Sequence, residues 1–425
     1  MRRALLASSI ALLSAACAHA QAGVASANDE HMARALRVLG SSPLVDGHND
    51  LPWAIRESKT APHDVEAYDL RRTTAGHTDL ARLAAGRLGG QFWSVYIPGD
   101  TSIARQGYAK VQLEQIDIAH RVIAKYPALR WTPTASAVRA AMRTGVVASL
   151  MGMEGGHAIE NSLAVLRQCY DLGARYMTLT HNVTLDWADA AQDSARHGGL
   201  TAFGREVVRE MNRLGMLVDL SHVSPGTMSD ALDVAEAPVI FSHSGARALV
   251  DHRRNVPDSI LARMRSNGGV VMVPFVTAFV STAVKAHEDS LQAAMAAAFQ
   301  RRGADRAAAR ADVIAWQAAH PRPAATIADV ADQLDHVRRI AGADHVGLGG
   351  DFDGISENVV GLEDVSTYPN LFAELVHRGW SDADLAKLAN GNVLRVLARA
   401  EQVAARLRAA RGPSQATIER MDVRR

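Results

Sequence analysis

Three features of the amino-acid sequence together predict an α/β fold, a (β/α)8 TIM barrel. Eight short runs rich in β-branched and apolar residues recur along the chain, segments with helical periodicity separate them, and polar residues of metal-ligating types follow several runs. Strands that alternate with helices indicate βαβ units and a parallel sheet. Eight such units close a barrel, in which functional residues gather at the carboxyl ends of the strands.

The eight predicted strands are short and mostly apolar. In chain order they cover residues 43–47, 91–97, 146–151, 176–180, 216–220, 238–242, 269–274 and 345–349. The segments between them, such as SLAVLRQCYDLGARY and TIADVADQLDHVRRIAG, have the spacing of apolar residues that is typical of amphipathic helices.

One segment, residues 277–323, interrupts the alternation between the seventh and eighth strands. It is rich in alanine with a helical period and ends in the turn-like sequence HPRPAA. We therefore expect a helical insertion here, a pair of helices that packs over the barrel or at a subunit contact. The barrel domain is expected over residues 30–400, and a tail over residues 412–425.

The N-terminus has the features of a secretory signal. Two arginines precede an apolar run, and the tripeptide AHA ending at Ala20 has the form of a cleavage site. This pattern predicts a signal peptide over residues 1–20 and export to the periplasm or the extracellular space. A lipoprotein signal ending at Cys17, which would leave a lipid anchor, stays open, but Ser14 stands where such signals have an aliphatic residue. No other apolar run is long enough to span a membrane.

Composition excludes several classes of partner and scaffold. The 425 residues are 48% hydrophobic with a net charge of +1, so a large core is expected, with no electrostatic case for nucleic acid as a partner. Of the two cysteines, only Cys169 remains after signal cleavage. The mature chain therefore lacks an internal disulfide, and Cys169, within a helical run, is expected to be a small buried residue.

Residues of metal-ligating types stand where the predicted strands end. They are His48 and Asp50 after strand one, Glu154 after strand three, His222 after strand five, His243 after strand six and Asp351 after strand eight. Each alone has an ordinary interpretation, as a hydrogen-bonded loop residue or a helix cap. Their common location at one rim of a barrel instead predicts a metal site. Imidazole and carboxylate ligands without thiolate suit Zn²⁺.

The number of candidate ligands exceeds what one tetrahedral zinc ion uses while keeping an open position. Two ions that share a bridging Glu154 account for the set, with His48 and Asp50 on one ion and His222 and His243 on the other. Such a pair would hold a water or hydroxide between the ions and polarise a carbonyl group.

Several motifs, in collinear order, resemble the membrane dipeptidase family (renal dipeptidase, peptidase family M19). They are LVDGHNDLPW, FWSVYIPGDT, VASLMGMEGGHAI, RYMTLTHN, NRLGMLVDLSHVS, APVIFSHS, RRNVPD and VGLGGDFDGI followed by GLEDVSTYPNL. The resemblance runs from about Val45 to about Leu397. It implies a barrel of the metal-dependent hydrolase type and an exported zinc dipeptidase that cleaves dipeptides by a metal-bridged hydroxide. Family members also accept a D-residue at the C-terminal position and form homodimers.

The resemblance also assigns roles to single residues. The zinc ligands it implies are His48, Asp50, Glu154, His222 and His243. His181 would hold the substrate and stabilise its oxyanion, Arg254 would bind the substrate carboxylate, and Asp351 would transfer protons. These roles suit a histidine donor, a guanidinium fork and a carboxyl group beside cations. Asp353 is the alternative to Asp351, Arg254 could instead form a surface ion pair, and His157 and Asp219 could orient ligands.

The sequence departs from the mammalian members at Gly99 and Val183, where those proteins have cysteines joined by a disulfide. That bridge is therefore absent here, and differences in the neighbouring loops leave the substrate preference open.

The alternative hypothesis is an N-acyl amino acid deacylase or another amide or lactam hydrolase with two metals. Those enzymes usually have HxH on strand one and often a carbamylated lysine, whereas this chain has HND and Glu154. A binding protein without activity would be expected to have lost a ligand or Asp351.

Overall fold

Parallel strands form a nearly closed barrel in the computed structural model, which describes residues 29–422. The strands, numbered along the chain, are β1 Leu44–Asn49, β2 Leu88–Ser94, β3 Leu129–Trp131, β4 Val147–Glu154, β5 Ala174–Thr178, β6 Leu217–Asp219, β7 Ile240–Phe241, β8 Val270–Val273 and β9 Val346–Leu348. The barrel order is β1-β2-β4-β5-β6-β7-β8-β9. The first and last strands meet where the Asp50 amide donates to the Phe352 carbonyl over 2.9 Å and the Asp351 amide donates to the His48 carbonyl over 3.1 Å. The predicted (β/α)8 fold is confirmed.

Each of the eight predicted strands overlaps a barrel strand, and the bounds differ by up to three residues. The second begins at Leu88, three residues before the predicted start, because Gly89 and Gly90, which sequence patterns place in turns, lie in the sheet. The short strand β3 was not predicted. It adds three residues beside β4, outside the barrel path.

Helices alternate with the strands around the barrel. They are α1 29–41, α2 Leu51–Arg56, α3 Leu80–Ala85, α4 Thr101–Ala104, α5 Tyr108–Lys125, α6 Ala135–Arg143, α7 Leu163–Asp171, α8 Ala202–Leu214, α9 Pro225–Val234, α10 Asp258–Asn267, α11 Thr277–Val280, α12 Thr282–Arg302, α13 Arg306–Ala319, α14 Ile327–Ala341, α15 Tyr368–His377, α16 Asp382–Ala386, α17 Asn392–Ala410 and α18 Ile418–Met421. Short 3₁₀ turns at Gly156–Ile159 and Ala343–His345 and a π-helix at Lys387–Gly391 complete the set. Side-chain caps define several starts; Thr201, for example, accepts from the Gly204 amide at the start of α8.

The segment between the seventh and eighth barrel strands is helical, as predicted. Helices α12 and α13 pack on each other, and Arg302 pairs with Asp312 between them. Glu288 of α12 accepts from Arg322 over 2.8 Å, and Arg322 also donates to Thr277 over 3.0 Å. The insertion therefore packs over the barrel at the edge of its mouth, one of the two expected positions.

The described part of the tail packs against α8. Asp422 accepts from the Thr201 hydroxyl over 2.5 Å and from the Phe203 amide over 3.1 Å, and the Ser414 amide donates to Glu210. The predicted signal segment and Cys17 lie outside the described residues. Across residues 29–422, no helix combines the length and apolar character needed to cross a bilayer.

The structure bears on two predictions about cysteine, the burial of Cys169 and the missing disulfide at positions 99 and 183. Cys169 is buried and free, and burial raises the pKa of its thiol to about 11, as expected for a small core residue. A Cβ atom at Gly99 would lie 3.5 Å from a Val183 methyl group. The two positions assigned to the missing disulfide are therefore neighbours in space.

Candidate metal centre

The residues that the sequence predicts as metal ligands converge at the carboxyl end of the barrel. His48 lies in β1 and Asp50 directly follows it, while Glu154 is the last residue of β4. His222 and His243 follow β6 and β7 within three residues. All five side chains are buried. Their ligand atoms belong to three overlapping groups, within each of which the atoms lie within 4.8 Å of one another, and these groups also include His181 and Asp351.

The carboxylate of Glu154 is at the centre of this cluster, and its two oxygens face different partners. Oε2 lies 3.5 Å from His48 Nε2, which is 3.3 Å from Asp50 Oδ2. Oε1 lies 2.9 Å from His222 Nε2 and 3.3 Å from His243 Nε2. The cluster thus divides into two halves, each with one Glu154 oxygen, which is the arrangement a bridging carboxylate needs.

Hydrogen bonds to the outer nitrogens orient the three imidazoles. Nδ1 of His48 lies 2.8 Å from the Tyr176 hydroxyl, which in turn lies 3.3 Å from the Gly47 carbonyl. Nδ1 of His222 lies 3.0 Å from Asn182 Oδ1, and Nδ1 of His243 lies 2.8 Å from Ser242 Oγ. These partners favour a proton on each Nδ1, so that each Nε2 directs a lone pair into the cluster.

Protonation states in the cluster suit metal ligands. Burial holds the pKa of His222 and of His243 well below the usual value, so both imidazoles are neutral. Burial also acts to raise the pKa of Glu154, but His48, His222 and His243 hold that pKa well below its usual range. Metal ligands must be neutral imidazoles and ionised carboxylates, and His222, His243 and Glu154 meet that requirement. Burial acts to lower the pKa of His48, but Tyr176, Glu154 and Asp50 raise that pKa well above its usual value, so His48 would release a proton on binding a cation.

Unsatisfied polar atoms in the cluster give a direct test of fit to a metal. Within residues 29–422, His48 Nε2 and Asp50 Oδ1 are buried without a hydrogen-bond partner. His222 Nε2 and His243 Nε2 lie 2.9 Å apart, although the bonds at Nδ1 leave both as acceptors. Buried acceptors that face one another are unfavourable unless a cation lies between them. The residues therefore fit divalent cations in both halves.

Two buried aspartates support the ligands, and the sequence pattern indicated only one of them. Asp219 accepts from Ser242 over 2.5 Å and from Thr178 over 2.6 Å, so it acts on His243 through Ser242. Asp46 was missed. It accepts from the His48 amide over 2.9 Å and from the Tyr368 hydroxyl over 2.6 Å, and its position two residues before His48 was the available signal.

Tyr176 is a second residue that the sequence did not indicate. It belongs to β5, and its hydroxyl reaches His48 only because Gly152 in β4 has no side chain. A Cβ atom at Gly152 would lie 1.9 Å from the Tyr176 ring. The orientation of His48 therefore depends on a glycine in a different strand.

The residues assigned to the substrate line one pocket of about 610 Å³ together with the cluster. Arg254 is 1% exposed, and its Nε has no hydrogen-bond partner within residues 29–422. Its guanidinium carbon lies 5.3 Å from the centre of the Phe279 ring, and burial lowers the pKa of Arg254 to about 10. Arg254 forms no ion pair with a carboxylate of residues 29–422, so it is not half of a surface ion pair. His181 Nε2 lies 3.9 Å from Glu154 Oε1, and burial lowers its pKa.

The two aspartates of the DFDG sequence occupy different surroundings. Asp351 Oδ1 lies 3.9 Å from His48 Nε2, and Asp351 has a left-handed backbone with φ of 62°, as His222 does. Burial, together with Asp50 and Glu154, raises the pKa of Asp351 well above its usual range. Asp353 instead accepts from the His77 amide over 2.7 Å. Of the two, Asp351 faces the cluster.

His157, which could have oriented a ligand, contacts none. Its Nε2 lies 3.0 Å from the Ile97 carbonyl, and its ring packs edge-on against Tyr108. Burial lowers the pKa of His157 from 6.5 to about 4. The unfolded chain therefore binds this proton more readily, and stability is lost as the pH falls from about 6.5 towards 4.

We expect His157→Gln to reduce this loss, because the amide keeps a donor to the Ile97 carbonyl without taking up a proton. Between pH 7 and pH 5 the difference in unfolding free energy should be about 2 kcal/mol smaller than in the parent protein. Urea denaturation of the metal-free protein at both pH values measures it. His197→Gln is the matched control, since the exposed His197 lies 3.0 Å from the Leu185 carbonyl. Equal pH dependence in H157Q and the parent would contradict the prediction.

Comparisons with known proteins identify a family and a fold. The sequence matches the family described as membrane dipeptidase (peptidase family M19) over residues 32–411. The structure is similar to the probable dipeptidase PvdM from Pseudomonas aeruginosa, with a TM-score of 0.75 and 26% identity over 88% of this chain and 100% of that one.

Two further solved structures are similar. One is a metallopeptidase from Rhodobacter sphaeroides bound to a phosphinate mimic of the dipeptide L-Ala-D-Ala, with a TM-score of 0.68 and 25% identity over 84% of this chain and 99% of that one. The other is dipeptidase AC, a metallopeptidase of family M19, with a TM-score of 0.68 and 26% identity over 84% of this chain and 98% of that one. All three cover most of both chains.

Proposed function

The chain belongs to the membrane dipeptidase family of metallopeptidases, peptidase family M19, and we propose that it hydrolyses dipeptides with two zinc ions. The observation that carries this proposal is the position of Glu154, whose two oxygens face two separate sets of ligands. One ion would be held by His48 and Asp50 and the other by His222 and His243, with Glu154 on both. Imidazole and carboxylate donors without thiolate suit zinc.

The zinc ions and the protein residues would contribute different parts of the reaction. Two zinc ions held there would polarise the carbonyl of the scissile bond and lower the pKa of a water molecule enough for attack at neutral pH. The protein's part is to bind the two ends of the substrate, to donate to the carbonyl oxygen and to transfer protons.

Arg254 supplies the first of these functions. Its buried guanidinium has an unsatisfied Nε and only long contacts of 3.4 Å to Ser244 Oγ and the His243 carbonyl. A planar fork with unused donors suits the free carboxylate at the C-terminus of a dipeptide. Because Arg254 and the cluster line one pocket, it would fix the peptide bond at a set distance from the carboxylate and limit the substrate to two residues.

Two aromatic side chains that line the same pocket, Trp53 and Tyr96, would pack against the N-terminal residue. Trp53 and Tyr96 pack edge-on with ring centres 5.0 Å apart, and Tyr96 packs against His181 at 4.8 Å. His181 is neutral because burial lowers its pKa, so its N–H can donate to the oxygen of the scissile carbonyl as negative charge develops there.

Asp351 is the proton carrier in this proposal. Its side chain faces His48, and burial among other carboxylates raises its pKa well above the usual range. Beside bound cations the carboxylate would be ionised, and it can accept a proton from the attacking water as the water oxygen bonds to the carbonyl carbon. The same proton then passes to the nitrogen as the C–N bond breaks, so the amine departs neutral and Asp351 is ionised again.

The proposal extends to the chirality of the substrate, to export and to assembly. Acceptance of a D-residue at the C-terminal position is supported by the relative bound to a mimic of L-Ala-D-Ala. Export is supported by the signal pattern of residues 1–20, with cleavage after Ala20 favoured over a lipid anchor at Cys17. A homodimer is the assembly that the family resemblance implies, and light scattering of the purified protein would measure its mass.

A substrate panel tests the function. We expect the purified protein with zinc to hydrolyse L,L- and L,D-dipeptides and to spare a tripeptide and an N-acyl amino acid, and chelation should abolish the activity. Cleavage of the N-acyl substrate alone would move the protein to the deacylase hypothesis. Binding of zinc without turnover of any substrate would contradict the proposal.

Arg254→Met tests how the substrate is held. We expect kcat/KM for a dipeptide to fall about 100-fold, the cost of leaving a substrate carboxylate without its buried partner. For the same dipeptide with an amidated C-terminus, the loss should be much smaller, because that substrate has no carboxylate to bind. Arg310→Met, at an exposed position of α13, is the control. An equal loss on both substrates would contradict the assignment.

A further inference from the structure

Each half of the metal centre has one buried aspartate beside it. The β1 half contains His48 and Asp50, and the β6–β7 half contains His222 and His243, with Glu154 between the two. The two aspartates belong to none of the groups of candidate ligand atoms, and they do not line the catalytic pocket. Any influence that they have on the metal centre must therefore act through other residues.

Asp46 is the aspartate of the β1 half, and it is fully buried. Its Oδ1 accepts from the His48 amide over 2.9 Å and from the Gln91 side chain over 2.6 Å. Its Oδ2 accepts from the Gly350 amide over 2.7 Å and from the Tyr368 hydroxyl over 2.6 Å. Asp46 therefore fixes β1, which carries His48, against the loop that follows β9.

Asp219 is the aspartate of the β6–β7 half, and it is also fully buried. Its Oδ1 accepts from the Ser242 amide over 2.8 Å and from the Ser221 amide over 3.1 Å. Its Oδ2 accepts from the Ser242 hydroxyl over 2.5 Å. Each of the two serines directly precedes a candidate ligand, His222 or His243. Asp219 therefore fixes the two loops that carry these histidines against each other.

The two carboxylates bond to different parts of the barrel. The partners of Asp46 lie in β1, in β2, after β9 and in α15, whereas those of Asp219 lie in β5 and after β6 and β7. No residue of the described chain, 29–422, bonds to both. Groups that orient metal ligands also influence metal affinity, so each aspartate should act on the half beside it.

We propose that Asp46 is the positioning residue of the β1 half and Asp219 that of the β6–β7 half, so that the affinity of each half for zinc can be lowered without the other. This inference rests on the two-zinc part of the proposed function and deepens it by assigning one supporting residue to each ion. Zinc titration against a competing chelator measures the two dissociation constants and needs no turnover of substrate.

Asp46→Asn is the first variant. It places an NH₂ group on one side of a carboxylate that has donors on both sides. A main-chain N–H cannot turn to accept, so the bond to the His48 amide or to the Gly350 amide is lost. We expect the Kd of the β1 half to rise about 10- to 100-fold, as is typical when a group that orients a ligand is removed, and the Kd of the other half to stay within about threefold.

Asp219→Asn is the reciprocal variant. The Ser242 hydroxyl, which lies 2.8 Å from His243 Nδ1, then no longer donates to a carboxylate. The hydrogen bond that orients the His243 ring is weakened as a result. We expect the Kd of the β6–β7 half to rise about 10- to 100-fold and that of the β1 half to stay within about threefold.

Ligand variants identify the half to which each Kd belongs. His48→Ala should leave only the ion of the β6–β7 half, and His243→Ala only that of the β1 half. Asp46→Asn should then weaken the remaining ion in the H243A background and leave it unchanged in the H48A background. Asp219→Asn should show the opposite pattern. A general loss of stability would weaken the remaining ion in both backgrounds.

Glu210→Gln is the control for removal of a buried carboxylate. Glu210 is 2% exposed on α8, and it pairs with Arg213 over 2.8 Å and with Arg167 over 3.1 Å. None of the three is a candidate ligand, so both zinc affinities should stay within about threefold of the parent values.

Two milder variants keep the test available if an aspartate variant does not fold. Tyr368→Phe removes one hydroxyl donor from Asp46, and Thr178→Val removes one from Asp219. Each should raise the Kd of the same half as the corresponding aspartate variant, by a smaller factor.

The outcomes separate this inference from the function on which it rests. Selective weakening of a different half by D46N and D219N, with unchanged affinities in E210Q, supports the positioning roles. If the two variants weaken the same ion, both ions equally or neither ion, the inference is overturned while dipeptide hydrolysis by the parent still supports the function. A parent protein that binds two zinc ions and hydrolyses no dipeptide contradicts the function alone. Binding of fewer than two zinc ions by the parent overturns both.

Discussion

Substitution of Glu154 by glutamine is expected to remove bound metal and to lower kcat/KM for dipeptides at least about a thousandfold. The two oxygens of Glu154 lie 2.9 Å from His222 and 3.5 Å from His48, so this one carboxylate serves both halves of the cluster. An amide has no charge to balance two cations, and the loss of several kcal/mol of metal-derived stabilisation corresponds to this factor. Metal content by mass spectrometry and dipeptide hydrolysis measure the two effects.

The control for this variant is Glu57→Gln, which removes the same charge at an exposed position and should change neither property. Circular dichroism should show that E154Q keeps the parent's secondary structure, because glutamine has nearly the size of the glutamate that it replaces at the end of β4. An E154Q protein that retains two zinc ions and near-parent activity would contradict a bridging role for Glu154.

Asp351→Asn is expected to lower kcat by a factor of about 100 to 10,000, the range typical of a general acid–base residue. The amide cannot accept the proton of the attacking water or return it to the leaving amine. Because Asp351 Oδ1 lies 3.9 Å from His48 Nε2, farther than Asp50 or Glu154, we expect the metal content and KM to change little. Steady-state kinetics with metal analysis separates these effects.

Asp353→Asn is the matched control, two residues along the same loop. Asp353 accepts from the His77 amide over 2.7 Å, a bond that an asparagine oxygen can also accept, so kcat should stay within about tenfold of the parent. Loss of metal from D351N would identify Asp351 as a ligand instead of a proton carrier. A larger fall of kcat in D353N than in D351N would exchange the two roles.

The strand ends could be predicted from sequence because each is a local feature. A run of β-branched and apolar residues that stops at a polar residue marks the end of a buried strand, and in a parallel barrel all such ends lie at one rim. The order of these runs along the chain is enough to place His48, Glu154, His222 and His243 together. The strand β3 could not be predicted in the same way, because its three residues are too few for a periodic pattern.

Supporting residues could not be predicted from local patterns because their role depends on contacts between distant parts of the chain. Tyr176 reaches His48 across 128 residues of sequence, and Tyr368 reaches Asp46 across 322. Asp46 is the exception, since it lies on β1 with the same alternation as His48 and the sequence could have indicated it.

The sequence by itself determined the barrel, the candidate ligands and the resemblance to the M19 peptidases, because apolar periodicity and motif order are properties of the linear chain. Only the tertiary structure decided which oxygen of Glu154 faces which histidine, that Asp351 and not Asp353 faces the cluster, and that the insertion packs over the barrel at the edge of its mouth. Those features depend on strand register and on side-chain packing between segments far apart in sequence, and local residue patterns do not encode such contacts.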